Sequence, residues 1–114
     1  MSRTFVHPSI DDITIDGVLH ALADPLRRDM VSFLYVHGST NCSACSCPDI
    51  SPSTISFHTK ILRESGLIRS EKVGVSVINS VRHDDLNQRF PGLLDVILRI
   101  HKEESQRETP AGAA

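Results

Sequence analysis

The sequence predicts a mainly helical α+β domain that carries one small β-hairpin. Three observations support this. Asp24-Pro25 and Ser51-Pro52 each put a capping side chain directly before a proline, which is how helices commonly start. After Gly66 the apolar period changes from helical to alternating, with β-branched residues on both sides of Gly74. Leu93, Leu94, Ile97, Leu98, Ile100 and His101 then return to helical spacing and form a broad apolar stripe.

The elements follow in order. Residues 1–9 are polar, contain His7-Pro8, and read as an N-terminal arm. Ile15 to Ala23 is expected to form a short helix with Val18, Leu19 and Leu22 on one face. Pro25 to His37 is a helix capped by Asp24; Leu26, Met30, Phe33 and Leu34 recur along it, and Gly38 stops it. The third helix spans Ser51 to Ser65. Ile55, His58, Thr59 and Leu62 face inward, while Ser53, Thr54, Phe57, Lys60 and Arg63 face outward. A hairpin over Ile68 to Val73 and Ser76 to Val81 turns near Gly74. The last helix is expected over Pro91 to Glu104, and residues 105–114 read as a disordered polar tail. One folded domain, residues 10–104, remains, a size that suits a single hydrophobic core.

Composition narrows the function. Aromatic residues make up only 4% with no Trp, which argues against a stacking platform for single-stranded nucleic acid. No apolar run approaches the ~20 residues that span a bilayer, and Met1 to Ile10 lacks the apolar core of a signal peptide. The chain therefore reads as cytoplasmic, without a membrane partner, and its three cysteines as reduced thiols. The net charge of −2 is not that of a strongly basic nucleic-acid binder, yet the middle of the chain is the part richest in Arg, Lys and hydroxyls. Catalysis is not expected. There is no phosphate-cradling glycine loop, no supported Ser/His/Asp set and no paired carboxylates in an apolar setting.

Helix, helix, linker, capped helix, hairpin and helix is the layout of a winged helix-turn-helix, whose second helix enters the major groove of double-stranded DNA. On that helix Ser53, Thr54 and Ser56 can bond bases or phosphates, Lys60 and Arg63 a guanine edge or a phosphate, and Phe57 can meet thymine methyls. His58 reads as an orienting or groove-edge residue. Arg27 and Arg28, in the first turn of their helix, have two readings: pairing with Asp24 or Asp29, or attraction of a DNA phosphate together with the helix N-terminus. At the wing tip the nearest basic residue is Lys72.

These residues also resemble a known family. Ala21-Leu22-Ala23-Asp24-Pro25-Leu26-Arg27-Arg28, Ser51-Pro52-Ser53-Thr54-Ile55-Ser56-Phe57-His58 and Ile61-Leu62-Arg63-Glu64-Ser65-Gly66-Leu67-Ile68 are similar to signature segments of the ArsR/SmtB transcriptional repressors. The resemblance implies a homodimer built from the first and last helices, with Val18, Leu22, Leu94, Ile97, Ile100 and His101 at the interface. It further implies operator binding that ends when a metal ion or other inducer binds. Two recognition helices would then meet half-sites ~34 Å apart.

Cys42, Cys45 and Cys47 form a C-x2-C-x-C run just ahead of the recognition helix. Arsenite-sensing members of that family bind the metalloid through cysteines in this region. Three readings stay open: a thiolate site for a metal or metalloid inducer, a redox pair that closes into a disulfide, and inert structural cysteines. The family's other metal site, on the last helix, is not expected, because Ile97 stands where its first pair needs histidine. A winged helix that contacts only protein is the alternative to DNA binding, and the sparsely basic wing suits it.

Overall fold

The structure, a computed structural model, describes residues 5–39 and 50–113, with side chains as far as residue 107. Cys42, Cys45, Cys47 and Pro48 lie outside the described residues. A short 3-10 turn at Ile10–Asp12 leads to α1 (Ile15–Ala21), α2 (Pro25–His37) and α3 (Pro52–Glu64). The hairpin β1 (Ile68–Val73) and β2 (Ser76–Val81) follows, then α4 (His83–Arg89) and α5 (Leu93–Ala113). This is the α+β winged helix-turn-helix architecture that the sequence predicts.

Local chemistry sets the boundaries. Asp24 Oδ1 accepts from the amides of Leu26 (2.8 Å) and Arg27 (3.2 Å), so two of the four orphan donors at the start of α2 are satisfied by one side chain. Ser51 Oγ does the same for Thr54 N–H at the start of α3. The hairpin pairs Ile68 with Val81 at its base and Val73 with Ser76 at its tip. Only Gly74 and Val75 remain for the turn, and Gly74, at φ 63°, takes the first central position that a type II′ turn reserves for glycine.

Three elements differ from expectation. α1 ends at Ala21 rather than Ala23, because arginine side chains from α2 take the carbonyls of His20, Ala21 and Leu22. α4 was not expected. It buries only Leu86 and so has no apolar period to read, although Asp84 and Asp85 suit the start of a helix. α5 begins at Leu93 and continues past Glu104 to Ala113. Residues 102–107 are exposed, so strong helix formers such as Lys102, Glu103, Glu104 and Gln106 extend the helix without burial.

The core gathers Val18 and Ala21 of α1, Met30, Val31 and Leu34 of α2, and Leu62 of α3 around Leu67 and Ile68, closed by Leu86, Leu94 and Leu98. Ile13 enters it beside the end of α3. There Gly66 has a φ of 90°, and Leu67 N–H returns to the Leu62 carbonyl at 3.0 Å, as in a Schellman cap. A side chain at Gly66 would meet Ile13 at 2.6 Å. Gly66→Ala should therefore cost about 2–4 kcal/mol in urea unfolding, from left-handed strain plus overpacking.

Candidate nucleic-acid interface

α3 splits cleanly into two faces. His58, Thr59 and Leu62 are buried, while Ser53, Thr54, Ser56, Phe57 and Lys60 are exposed. Thr59 satisfies its hydroxyl internally, on the Ile55 carbonyl at 2.8 Å. The hydroxyls of Ser51 and Thr54 lie 2.9 Å apart and those of Ser51 and Ser53 3.2 Å apart, so the first turn of α3 presents donors and acceptors beside its exposed amides. Phe57 is 59% exposed in the middle of this face, its ring edge-on to His58. A helix that exposes hydroxyls, one cation and one aromatic ring can bond base edges and phosphates and touch thymine methyls.

Two residues that the sequence offered to DNA lie inside instead. Arg27 is buried: its Nε donates to the Ala21 carbonyl (2.6 Å), Nη2 to the His20 carbonyl (3.3 Å) and Nη1 to His58 Nδ1 (3.1 Å). Arg27 and His58 thus leave the DNA-facing set. Neither expected reading of Arg27 accounts for these bonds; it fastens α3 to the end of α1. Arg28 is half-buried and makes a parallel set of contacts. Its Nη1 donates to the Leu22 carbonyl (2.7 Å) and its Nε to His101 Nδ1 (3.1 Å), and His101 Nε2 meets Asp29 Oδ1 at 2.6 Å. Asp24, the cap beneath them, is pushed up by partial burial, but the two amides and Arg27 outweigh that and hold it below the ordinary carboxylate value.

Arg63 is also not a free outward cation. Its Nη1 donates to Ser70 Oγ on β1 at 3.2 Å, and its guanidinium lies 4.6 Å from the centre of the Phe5 ring. Lys72 is exposed near the wing tip, next to Val73 and a fully exposed Val75.

The expected interface residues divide as well. Val18, Leu22, Leu94 and His101 are buried within the protomer, so they hold its own core rather than present a surface. Ile97 is half-buried. Ile100 is 45% exposed; α5 also exposes Val96, and α1 exposes Ile15 and Leu19 (48%). Helical periodicity finds the apolar helices but cannot separate the stripe turned inward from the one turned out.

Sequence reasoning missed a further cluster. Tyr35 Oη donates to Asp95 Oδ1 at 2.6 Å and lies 3.2 Å from His83 Nε2, which ties α2, α4 and α5 together beside a cavity of about 340 Å³. The bond to Asp95 raises the Tyr35 phenol and lowers the Asp95 carboxyl. These residues are 48 and 60 positions apart in sequence, so no local pattern announces them. Among the described residues no group of three or more His, Cys, Asp and Glu is arranged to hold a metal ion.

Comparison with known proteins agrees with this geometry. The profile of the bacterial regulatory protein arsR family matches residues 24–70, from the α2 cap into β1. The uncharacterized HTH-type transcriptional regulator YceK of Bacillus subtilis (strain 168) is 30% identical over 93 residues, 76% of this chain and 89% of YceK. The chain belongs to the ArsR family. A crystal structure of an ArsR family transcriptional regulator, RHA00566, shares the fold at a TM-score of 0.57 and 22% identity, covering 92% of this chain and 97% of that one. This ArsR family member is thus a helix-turn-helix transcriptional regulator. Among the described residues no helix is long and apolar enough to cross a membrane.

The internal role of Arg27 has a measurable consequence. Arg27→Ala should lower stability by about 2–4 kcal/mol, because the Ala21 carbonyl and His58 Nδ1 lose a buried donor, whereas Lys60→Ala should stay within about 0.5 kcal/mol of wild type. Thermal or urea unfolding of the two variants separates them.

Proposed function

We propose that this ArsR family protein is a homodimeric repressor that reads operator DNA with α3 and leaves it when a signal reaches the segment holding Cys42, Cys45 and Cys47. The observation that carries the reading is the exposed face of α3: Ser53, Thr54, Ser56, Phe57 and Lys60 stand clear of the core on a helix whose other face is locked by Arg27 and His58. Lys72 adds a phosphate contact from the wing. Arg28 and Arg63, both partly engaged inside, support the interface from behind. The reading places the protein in the cytoplasm, with the DNA it regulates.

The second protomer packs on α1 and α5. Ile15 and Leu19 of α1 and Val96 and Ile100 of α5 are the exposed apolar side chains that a partner would cover. Leu19→Asp should convert a dimer to a monomer in sedimentation while leaving the protomer folded, because Leu19 lies outside the core cluster.

The signal is read from chemistry alone. A C-x2-C-x-C run offers soft thiolates to a metal or metalloid inducer, or two thiols to an oxidant. The decisive experiment titrates reduced, metal-free protein onto duplex DNA from its own upstream region. It is repeated with arsenite, Zn(II), Cd(II) and a mild oxidant, for wild type and for the Cys42→Ser, Cys45→Ser, Cys47→Ser triple variant. Binding abolished by one agent only in the wild type supports a thiol-gated repressor and names its signal. Lys60→Ala should reduce the slope of log affinity against log salt by about one per subunit. Salt-insensitive association with any duplex would overturn the assignment of Lys60 to a phosphate, and no binding at all would favour a protein-interaction module.

A further inference from the structure

We propose that residues 5–9 of the N-terminal arm position the DNA interface: they clamp the recognition helix to the wing through Arg63 and Ser70, and His7 opens the clamp in acid. The effect on DNA rests on the function proposed above; the clamp itself does not.

The arm makes three contacts, each to a different part of the reading head. The Phe5 ring lies against the Arg63 guanidinium at the end of α3. His7 Nε2 accepts from the Ser70 amide of β1 at 2.9 Å. The Pro8 carbonyl accepts from Arg82 Nη1, just past β2, at 2.8 Å. Ser70 is the junction. Its amide is held by the arm, its hydroxyl accepts from Arg63, and that hydroxyl donates to Asn79 Oδ1 on β2 at 2.6 Å. The sheet has only two strands, so the Ser70 amide belongs to the open edge of β1, and an imidazole closes it in place of a third strand.

The bond requires neutral His7. A protonated imidazole has no lone pair for the Ser70 amide, and it would add a cation to three arginines. The groups that face it are Arg63 and Glu64 of α3, Arg69 of β1, and Arg82, whose Nε is bonded to Asp85 of α4. Asp12 of the 3-10 turn is nearby, with its carboxylate accepting from Ser9. Burial first, then Arg69, Arg82 and Arg63, lower the His7 imidazole below its ordinary value of 6.5. The folded state therefore favours the neutral form. The clamp is complete above the ordinary imidazole value and is lost as pH falls through the lowered one. Once it opens, Arg63 loses its Phe5 contact and the edge of β1 loses its cover. The helix and wing must then be ordered at the cost of binding.

The test begins on the free protein, with amide exchange at Ser70 corrected for the intrinsic rate. Three chains are compared: wild type, His7→Gln and His7→Ala. Glutamine carries a non-titrating acceptor that reaches the Nε2 position. Wild-type Ser70 should be protected at about pH 7.5 and lose at least about tenfold of that protection by about pH 5. His7→Gln should stay protected at both, and His7→Ala at neither. On a duplex selected from a random library, His7→Ala should bind about tenfold more weakly than wild type at the higher pH, and His7→Gln should bind like wild type. Equal Ser70 protection in all three chains overturns the clamp. The expected protection with equal DNA affinities overturns its positioning role. If the protection pattern holds but no chain binds any duplex, the DNA-binding reading has failed, and the positioning role falls with it.

Discussion

Where α1 stops, the carbonyls of Ala21 and Leu22 lack the next helical turn that would satisfy them, and the guanidinium groups of Arg27 and Arg28 supply the donors. Most of the remaining architecture depends on this exchange. A buried carbonyl without a donor is costly, so the two arginines are held in fixed positions. Each then has a nitrogen left over, and each of these donates to a histidine: Arg27 to His58 on α3 and Arg28 to His101 on α5. The first turn of α2 thereby sets both α3 and the long C-terminal helix. Asp24 reinforces it by capping the same turn.

The same arrangement explains how little charge faces outward. Arg27 is used up internally, and Arg28 and Arg63 are each engaged with two partners. What α3 exposes is short and mostly neutral, with Lys60 as its cation. The net charge of −2 agrees with this sparing use of exposed cations.

The wing is held by a different device. Ser70 and Asn79 stand opposite each other in register and are buried at the base of the hairpin, where a hydroxyl–amide bond replaces apolar packing. Such a pair is only as stable as its hydrogen bonds are complete, and it ties hairpin, recognition helix and arm into one network. The outer half of the hairpin has no such support and ends in exposed Val73 and Val75.

The sequence by itself determined the elements that are written locally. Caps before proline located α2 and α3, the change of period located the hairpin to the residue, and glycine marked the ends of α2 and α3. It also identified the exposed face of α3 apart from Arg63, since a capped helix with a clear apolar side defines its polar side. Only the tertiary structure decided what each long polar side chain does. Arg27 and Arg63 carry the same residue type whether they face solvent or bond a partner far along the chain, and periodicity that turned His58 and His101 inward could not name their partners. For the same reason Val18, Leu22 and Leu94 could not be told from Leu19 and Val96 before the helices were packed. α4, with a single buried residue, had no periodic signal to give.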